Sequence, residues 1–480
     1  MTAFEVSRPN LMNNQVIVVK TNSLYPAFPY PDDESSLART LTYLFSLWGK
    51  DPLNPFKDWI SPGGCVLIKP NWVLDYNSAG HNLESLITHS SLIKYLIDFI
   101  ALALEGKGKI IIGDAPIQAC NFNRLIQVSR IQDTIQKLKE RYPEIEIIPE
   151  DWRLTIFNIR KSGIEPKNYG QQHSVGSFGN DGSENHRLID MGKLSFLEEI
   201  AQYSDRFRVA MYNPCLMADH HRLGKHEYIV TKRIFEADLL INLPKMKTHS
   251  KAGLTGALKN LVGINGHKEY LPHHIKGSYF NGGDNYCTSS RLQGYYENFE
   301  DHLWKHYTEL SPARRQIYLF FLKALWKFSK ILGFEGISTG GWSGNDTIWR
   351  MTLDLNHLLY FNEKSPCKVI TIVDGIIAGE GEGPLTPAPK STGLLIGGEN
   401  PAYIDAVIGK LMGYNIARIP TVYQAIYNRK SKFGGQQLES LDVTCLFNGG
   451  TAEVIPFDRL PNLKFLKPKY WERADAIMRE

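Results

Sequence analysis

The chain has 480 residues, 43% of them hydrophobic and 22% charged, with a formal net charge of only +4. That length exceeds one average compact core and predicts two or three lobes, while the composition excludes a disordered chain. The near-neutral balance supplies no global field demanding nucleic acid or an anionic membrane as a partner, so no nucleic-acid partner is expected.

Residues 1–15 are polar and lack the apolar core of a signal peptide, which predicts a cytoplasmic location. A first strand is predicted over 15–20 and a helix over 34–48. A second strand spans 65–68 and runs into Lys69-Pro70-Asn71. Residues 90–104 place Leu92, Tyr95, Leu96, Phe99 and Ile100 on one helical face. A third strand over 109–112 ends at Gly113-Asp114, followed by a helix over 123–141 and a strand over 144–148. Residues 163–187, rich in Gly, Asn, Ser and Gln, read as a loop or hairpin excursion. Strands return over 208–212 and 238–241, and Gly, Asn and His dominate a long loop over 263–290.

Ser311-Pro312 opens a helix to Leu332 with Lys323, Lys327 and Lys330 on one face, opposite an aromatic-rich one. A core-packed amphipathic helix is the expected reading, with a membrane-surface or partner helix as its alternative. The lysines interrupt the most apolar stretch, so no membrane span is predicted. Strands over 369–373, 394–397 and 442–447 and a helix over 403–412 complete the chain. The alternation predicts an α/β fold, a mainly parallel sheet flanked by helices with inserted loop and helical segments. The main body is expected over 1–262 and 366–450, an inserted region over 263–365 and an extension over 451–480. The six cysteines (65, 120, 215, 287, 367 and 445) lie far apart, with no zinc, redox or cluster spacing, so buried thiols and no iron–sulfur cluster are expected.

In open parallel sheets ligands bind beyond the carboxyl ends of the strands. Those ends carry Lys69, Pro70 and Asn71; Asp114; Asn213; Asn242, Pro244, Lys245 and Lys247; and Asp374 with Gly379, Gly381, Gly383 and Pro384. Turns use Asn, Asp, Gly and Pro anyway, but five strands ending alike argue for a site. Between Lys245 and Lys276 stand six lysines and four histidines (His249, His267, His273, His274) against one acid, Glu269. A solvated basic face is the ordinary explanation of such a run. Here the run leaves a buried strand and mixes with Thr255, Lys259 and Asn260, which favours an anion pocket. A helix starting near Thr255 would aim its N–H groups at the same ligand. Asp114 and Asp374 are candidate ligands of a divalent cation such as Mg²⁺, or else caps and ion-pair partners.

The pieces Val66-Leu-Ile-Lys-Pro-Asn71, Thr88-His89, Gly113-Asp114, Ala237-Asp-Leu-Leu-Ile-Asn-Leu-Pro-Lys-Met-Lys-Thr-His249, Thr255-Gly-Ala-Leu-Lys-Asn260, Asp374-Gly375, Gly381-Glu-Gly-Pro384 and Asn400-Pro401 with Asp405 run in order along the chain. In these motifs the sequence resembles the domain of unknown function 362 family. The resemblance implies no assigned activity, and the ferredoxin-type cysteines of some relatives are missing here. It adds Thr88-His89, Asn345-Asp346-Thr347 and Asp354 to the pattern.

The resulting expectation is an enzyme acting on a small phosphorylated or carboxylated metabolite. Lys69, Asn71, Lys245, Lys247, Thr255, Lys259 and Asn260 would bind it. His89 or His249 would be the acid/base group, oriented by Asp114 and Asp374. The alternatives are a non-catalytic binding module for an anionic metabolite or glycan precursor and an iron–sulfur-linked redox protein. Lys69, Asp114, Lys247, His249 and Asp374 are expected to line one cleft.

Overall fold

A computed structural model describes residues 2–3, 12–22, 24–31, 35–160, 163–168, 185–210, 212–288, 291–307, 309–331, 340–363, 367–447 and 450–471. Its centre is an eleven-stranded mixed sheet. In chain order the strands are β1 (Val16–Lys20), β2 (Cys65–Pro70), β3 (Gly108–Asp114), β4 (Ile145–Asp151), β5 (Leu239–Leu243), β6 (Lys245–His249), β7 (Gly253–Thr255), β8 (Lys368–Glu380), β9 (Ala388–Gly398), β10 (Asp442–Leu446) and β11 (Glu453–Pro456). Across the sheet they run β11-β10-β1-β9-β8-β5-β2-β3-β4, and β6 and β7 extend it beside β8. The run from β8 through β5, β2 and β3 to β4 is parallel throughout, while β9 is antiparallel to both neighbours.

The uninterrupted apolar strands follow from burial on both faces. Val66, Ile68, Ile110, Ile112, Leu239 and Ile241 point into one core, shared with helices Ser36–Leu47, Ser90–Ala103 and Ile131–Arg141. The intervening Leu67, Ile111 and Leu240 point into the core on the other side. The fold is therefore α/β, as the alternation predicts.

Two expected elements depart from what the structure contains. The helix expected over 123–141 is two helices, Phe122–Val128 and Ile131–Arg141, separated by Arg130 at φ 63°. That left-handed conformation breaks the helical path. The strand expected over 208–212 is only Phe207–Arg208, paired with His274–Ile275 outside the main sheet. Helix Ile348–Tyr360, which falls inside the region expected as an insertion, is buried in the core of the body. Strand β11 falls inside the expected C-terminal extension yet pairs with β10 at the sheet edge. Of the excursion over 163–187, the hairpin Thr155–Arg160 with Gly163–Asn168 is described, and residues 169–184 lie outside the described residues.

Candidate functional site

Strand β2 ends at Lys69-Pro70, and its neighbour β3 ends at Asp114. The Lys69 ammonium lies 2.7 Å from Asp114 Oδ1, with both side chains buried. Asp114 also accepts the backbone N–H of Ala115 on Oδ1 at 2.8 Å and that of Trp72 on Oδ2 at 2.7 Å. Burial lowers the Lys69 pKa and raises that of Asp114, and the attraction between the two opposes both shifts. Gly263 roofs the pair. A Cβ there would stand 2.0 Å from Asp114 Oδ1 and 2.8 Å from Lys69 Nζ, so only glycine permits this approach.

A second buried pair forms where β6 runs beside β8. Lys245 Nζ lies 2.7 Å from Asp374 Oδ2, and neither side chain reaches solvent. Asp374 further accepts the Tyr25 hydroxyl at 2.5 Å and the His89 backbone N–H at 2.9 Å. The His89 ring stacks on Tyr25 with centroids 3.8 Å apart, and its Nδ1 accepts from Ser91 N, capping helix Ser90–Ala103. Burial pushes the His89 pKa down to about 4, so it is neutral at pH 7 and does not titrate there.

Between the ends of β2, β3 and β6 and the loops after them opens a cleft of about 470 Å³. Of the residues expected to share it, Asn71, Asp114, Lys247, His249, Thr255, Lys259 and Asn260 line it, and Lys69 stands behind Asp114. Lys245, Asp374 and His89 do not line it. The register explains the division. Lys245 pairs with Asp374, but two residues later Lys247 pairs with Gly379, so the irregularity sends the two lysines into different environments.

Lys251, Lys268 and His273 also line the cleft; all three stand in the basic run, His273 among its named histidines, but none of them carries an expected site role. Among the described residues the lining thus gathers four lysines, 247, 251, 259 and 268, and one carboxylate, Asp114, already held by Lys69. Burial lowers every one of these ammonium groups, and the neighbouring lysines lower Lys247 and Lys259 further. Lys259 falls to about 7, Lys251 and Lys268 to about 8, and Lys247 well below its ordinary value. Lys247 donates to Leu86 O at 2.5 Å. The lining also carries apolar side chains, Trp72, Val73, Ile117, Val209, Val262 and Leu385.

The polar groups of the cleft are also fixed. Asn71 Nδ2 donates to Asn260 Oδ1 at 3.0 Å, and Asn260 Nδ2 donates in turn to Asn242 Oδ1 at 2.8 Å. Asn71 Oδ1 and Thr255 Oγ1 are buried with no protein partner. His249 Nδ1 accepts the N–H groups of Lys251 and Ala252, which places the ring proton on Nε2. His273 Nδ1 donates to Leu271 O at 2.6 Å, which leaves its Nε2 as the acceptor in the neutral ring. Both imidazoles are held well below the ordinary value, first by burial and then by the lysines around them.

Two expected roles change. The helix after Thr255 is a single turn, Ala257–Asn260, and the N–H groups of Ala257 and Leu258 go to the carboxylate of Asp405 rather than toward the cleft. Burial raises Asp405 to about 7, against the pull of those two N–H groups. The aspartates expected to share a cation are each occupied by their own lysine, and a metal ion would have to displace it. Among the described residues no group of three or more His, Cys, Asp or Glu side chains is placed to hold a metal ion.

The family model described as "Domain of unknown function (DUF362)" matches residues 198–410 of the chain. No curated protein matches it. Lys247, His249, Lys251, Lys259, Lys268 and His273 lie inside the matched segment, whereas Lys69, Asn71 and Asp114 precede it.

Proposed function

On a chain that carries a DUF362 domain, we propose an enzyme that binds a small anionic metabolite, phosphorylated or carboxylated, with its charged group among Lys247, Lys251, Lys259 and Lys268 and an apolar part against the apolar side chains of the lining. The observation that supports this reading is the convergence of four ammonium groups on a lining whose single carboxylate is already neutralised. Four lysines crowded in a largely buried space disfavour one another's charge and lose hydration, and a bound anion relieves both costs. Thr255 Oγ1 supplies a buried hydroxyl without a protein partner for an anion oxygen. His249 offers an N–H donor and His273 an acceptor nitrogen, the two complementary functions that proton transfer requires. In this reading His273 is the base and His249 the group that donates to developing negative charge.

Phosphate, sulfate or a phosphorylated metabolite should raise the melting temperature, whereas an uncharged analogue should leave it unchanged, because a ligand of the native state stabilises by mass action. Lys259→Met should remove most of the shift, and His273→Gln should keep it while abolishing turnover. A shift absent with every anion tested would end the proposal. Turnover unaffected in His273→Gln would end the assignment of the base, and binding without any turnover would leave the non-catalytic binding module as the answer.

A further inference from the structure

Among the described residues, helix Pro312–Ile331 packs one apolar face on the fold, touches strand Gly163–Asn168, and leaves a second apolar stripe exposed. Its inner face meets helix Arg291–His306, where Tyr318 and Leu319 pack on the cluster of Leu303, Trp304 and Tyr307. Tyr318 stacks on Phe299, and Arg315 donates to Tyr307 O at 2.8 Å. The other apolar face is open. Ile317, Phe320, Phe321, Phe328 and Ile331 are 54%, 68%, 53%, 52% and 80% exposed. At about 100° per residue these positions fall within an arc of roughly 100°, one continuous stripe along the helix.

The charges beside the stripe indicate what covers it. The helix contains no Asp or Glu, and Arg314, Lys323 and Lys327 are exposed along it. A second copy of the chain seated on the stripe would bring like charges together with no acid on either helix to pair with them. An anionic phospholipid surface answers both features, since acyl chains take the aromatic side chains and headgroups take the cations. No helix among the described residues is long and apolar enough to cross a membrane, so this contact lies in the plane of the interface.

We propose that helix Pro312–Ile331 docks on an anionic phospholipid surface, with the Ile317–Ile331 stripe inserted at the headgroup boundary and Arg314, Lys323 and Lys327 on the phosphates. This inference is independent of the reading of the cleft, but the two meet in the architecture. Asp301 of the supporting helix holds Arg208 at 2.9 Å, and the residues next to Arg208, Val209 and Ala210, form part of the cleft wall.

Co-sedimentation with vesicles of phosphatidylcholine alone, and of phosphatidylcholine mixed with phosphatidylglycerol, tests this directly. The protein should pellet with the mixed vesicles and stay in the supernatant with the neutral ones. Phe320→Glu with Phe328→Glu, both at exposed positions, should weaken binding at least about tenfold while circular dichroism remains unchanged. Lys323→Gln should weaken it about fivefold, and added salt should do the same in the wild type. Wild-type protein left in the supernatant with mixed vesicles, or a double variant that pellets as well as wild type, would overturn the proposal. So would a dimer that the double variant converts to monomer without any vesicle binding, because the stripe would then belong to a second copy.

Discussion

Asp374→Ala is expected to destabilise the protein by about 3–5 kcal/mol, because it leaves the Lys245 ammonium buried without a counter-charge. Lys245 is entirely enclosed, and burial already lowers its pKa against the opposing pull of Asp374. The Tyr25 hydroxyl and the His89 N–H would lose their acceptor as well. The double replacement Lys245→Met with Asp374→Leu removes the orphaned charge and should recover part of the loss, short of the share that belongs to the His89 N–H. Urea unfolding of the single and double variants measures this. Since the pair stands apart from the cleft lining, the folded fraction of each variant should bind sulfate as the wild type does. A cost below about 1 kcal/mol for Asp374→Ala would contradict the buried-pair account.

Sulfate affinity should fall as pH rises from about 7 to about 9, by roughly tenfold per pH unit for each lysine that must take up a proton on binding. The sign follows from the free protein, in which Lys259 sits at about 7 and Lys251 and Lys268 at about 8. A bound anion favours the charged amine and raises these values, so binding draws in protons between the free and the bound pKa. Below about 6 all three are charged in both states and the dependence should flatten. Sulfate does not titrate in this range, which leaves the slope to the protein. Lys259→Arg should lessen the fall in affinity toward about pH 9, since a guanidinium stays charged there while Lys251 and Lys268 still lose their protons, and Lys259→Met should lower affinity at every pH. Titration calorimetry in buffers of different ionisation enthalpy would register the proton uptake. An affinity constant across the range would show that the lysines do not bind the anion.

Much of the scaffold was legible because buried parallel strands announce themselves. The apolar runs ending at Lys69, Asp114 and Asn242 lie where periodicity placed them, and the turn residues after them mark the rim of the sheet. The run over 208–212 was misread because apolar residues also form cleft walls, and Val209, Ala210 and Tyr212 do so here. The basic run identified the right neighbourhood but not its members. Lys245 and Lys247 stand at equivalent places in a period of two, and only the shift in pairing against β8 separates them. Asp405 lies 148 residues from Ala257 at the start of the helix it caps, so its role was beyond any local pattern. Histidine was assigned acid/base work near neutrality on its solution pKa, and burial, which sequence does not quantify, takes His89 and His249 away from that range.

The position of β5 bears on where this protein can be cut. It lies between β8 and β2, hydrogen-bonded to both, and only β8 shares the family-matched segment with it. A fragment of residues 198–410 would leave Leu239–Leu243 as a bare strand edge, with no side chain exposed in the intact chain and a ladder of unpaired N–H and C=O groups. Such an edge recruits other copies edge to edge, so the fragment would precipitate instead of folding. The family segment is thus a stretch of recognisable sequence rather than a separable module. The smallest unit able to hold the cleft must include the N-terminal strands that bring Lys69 and Asp114.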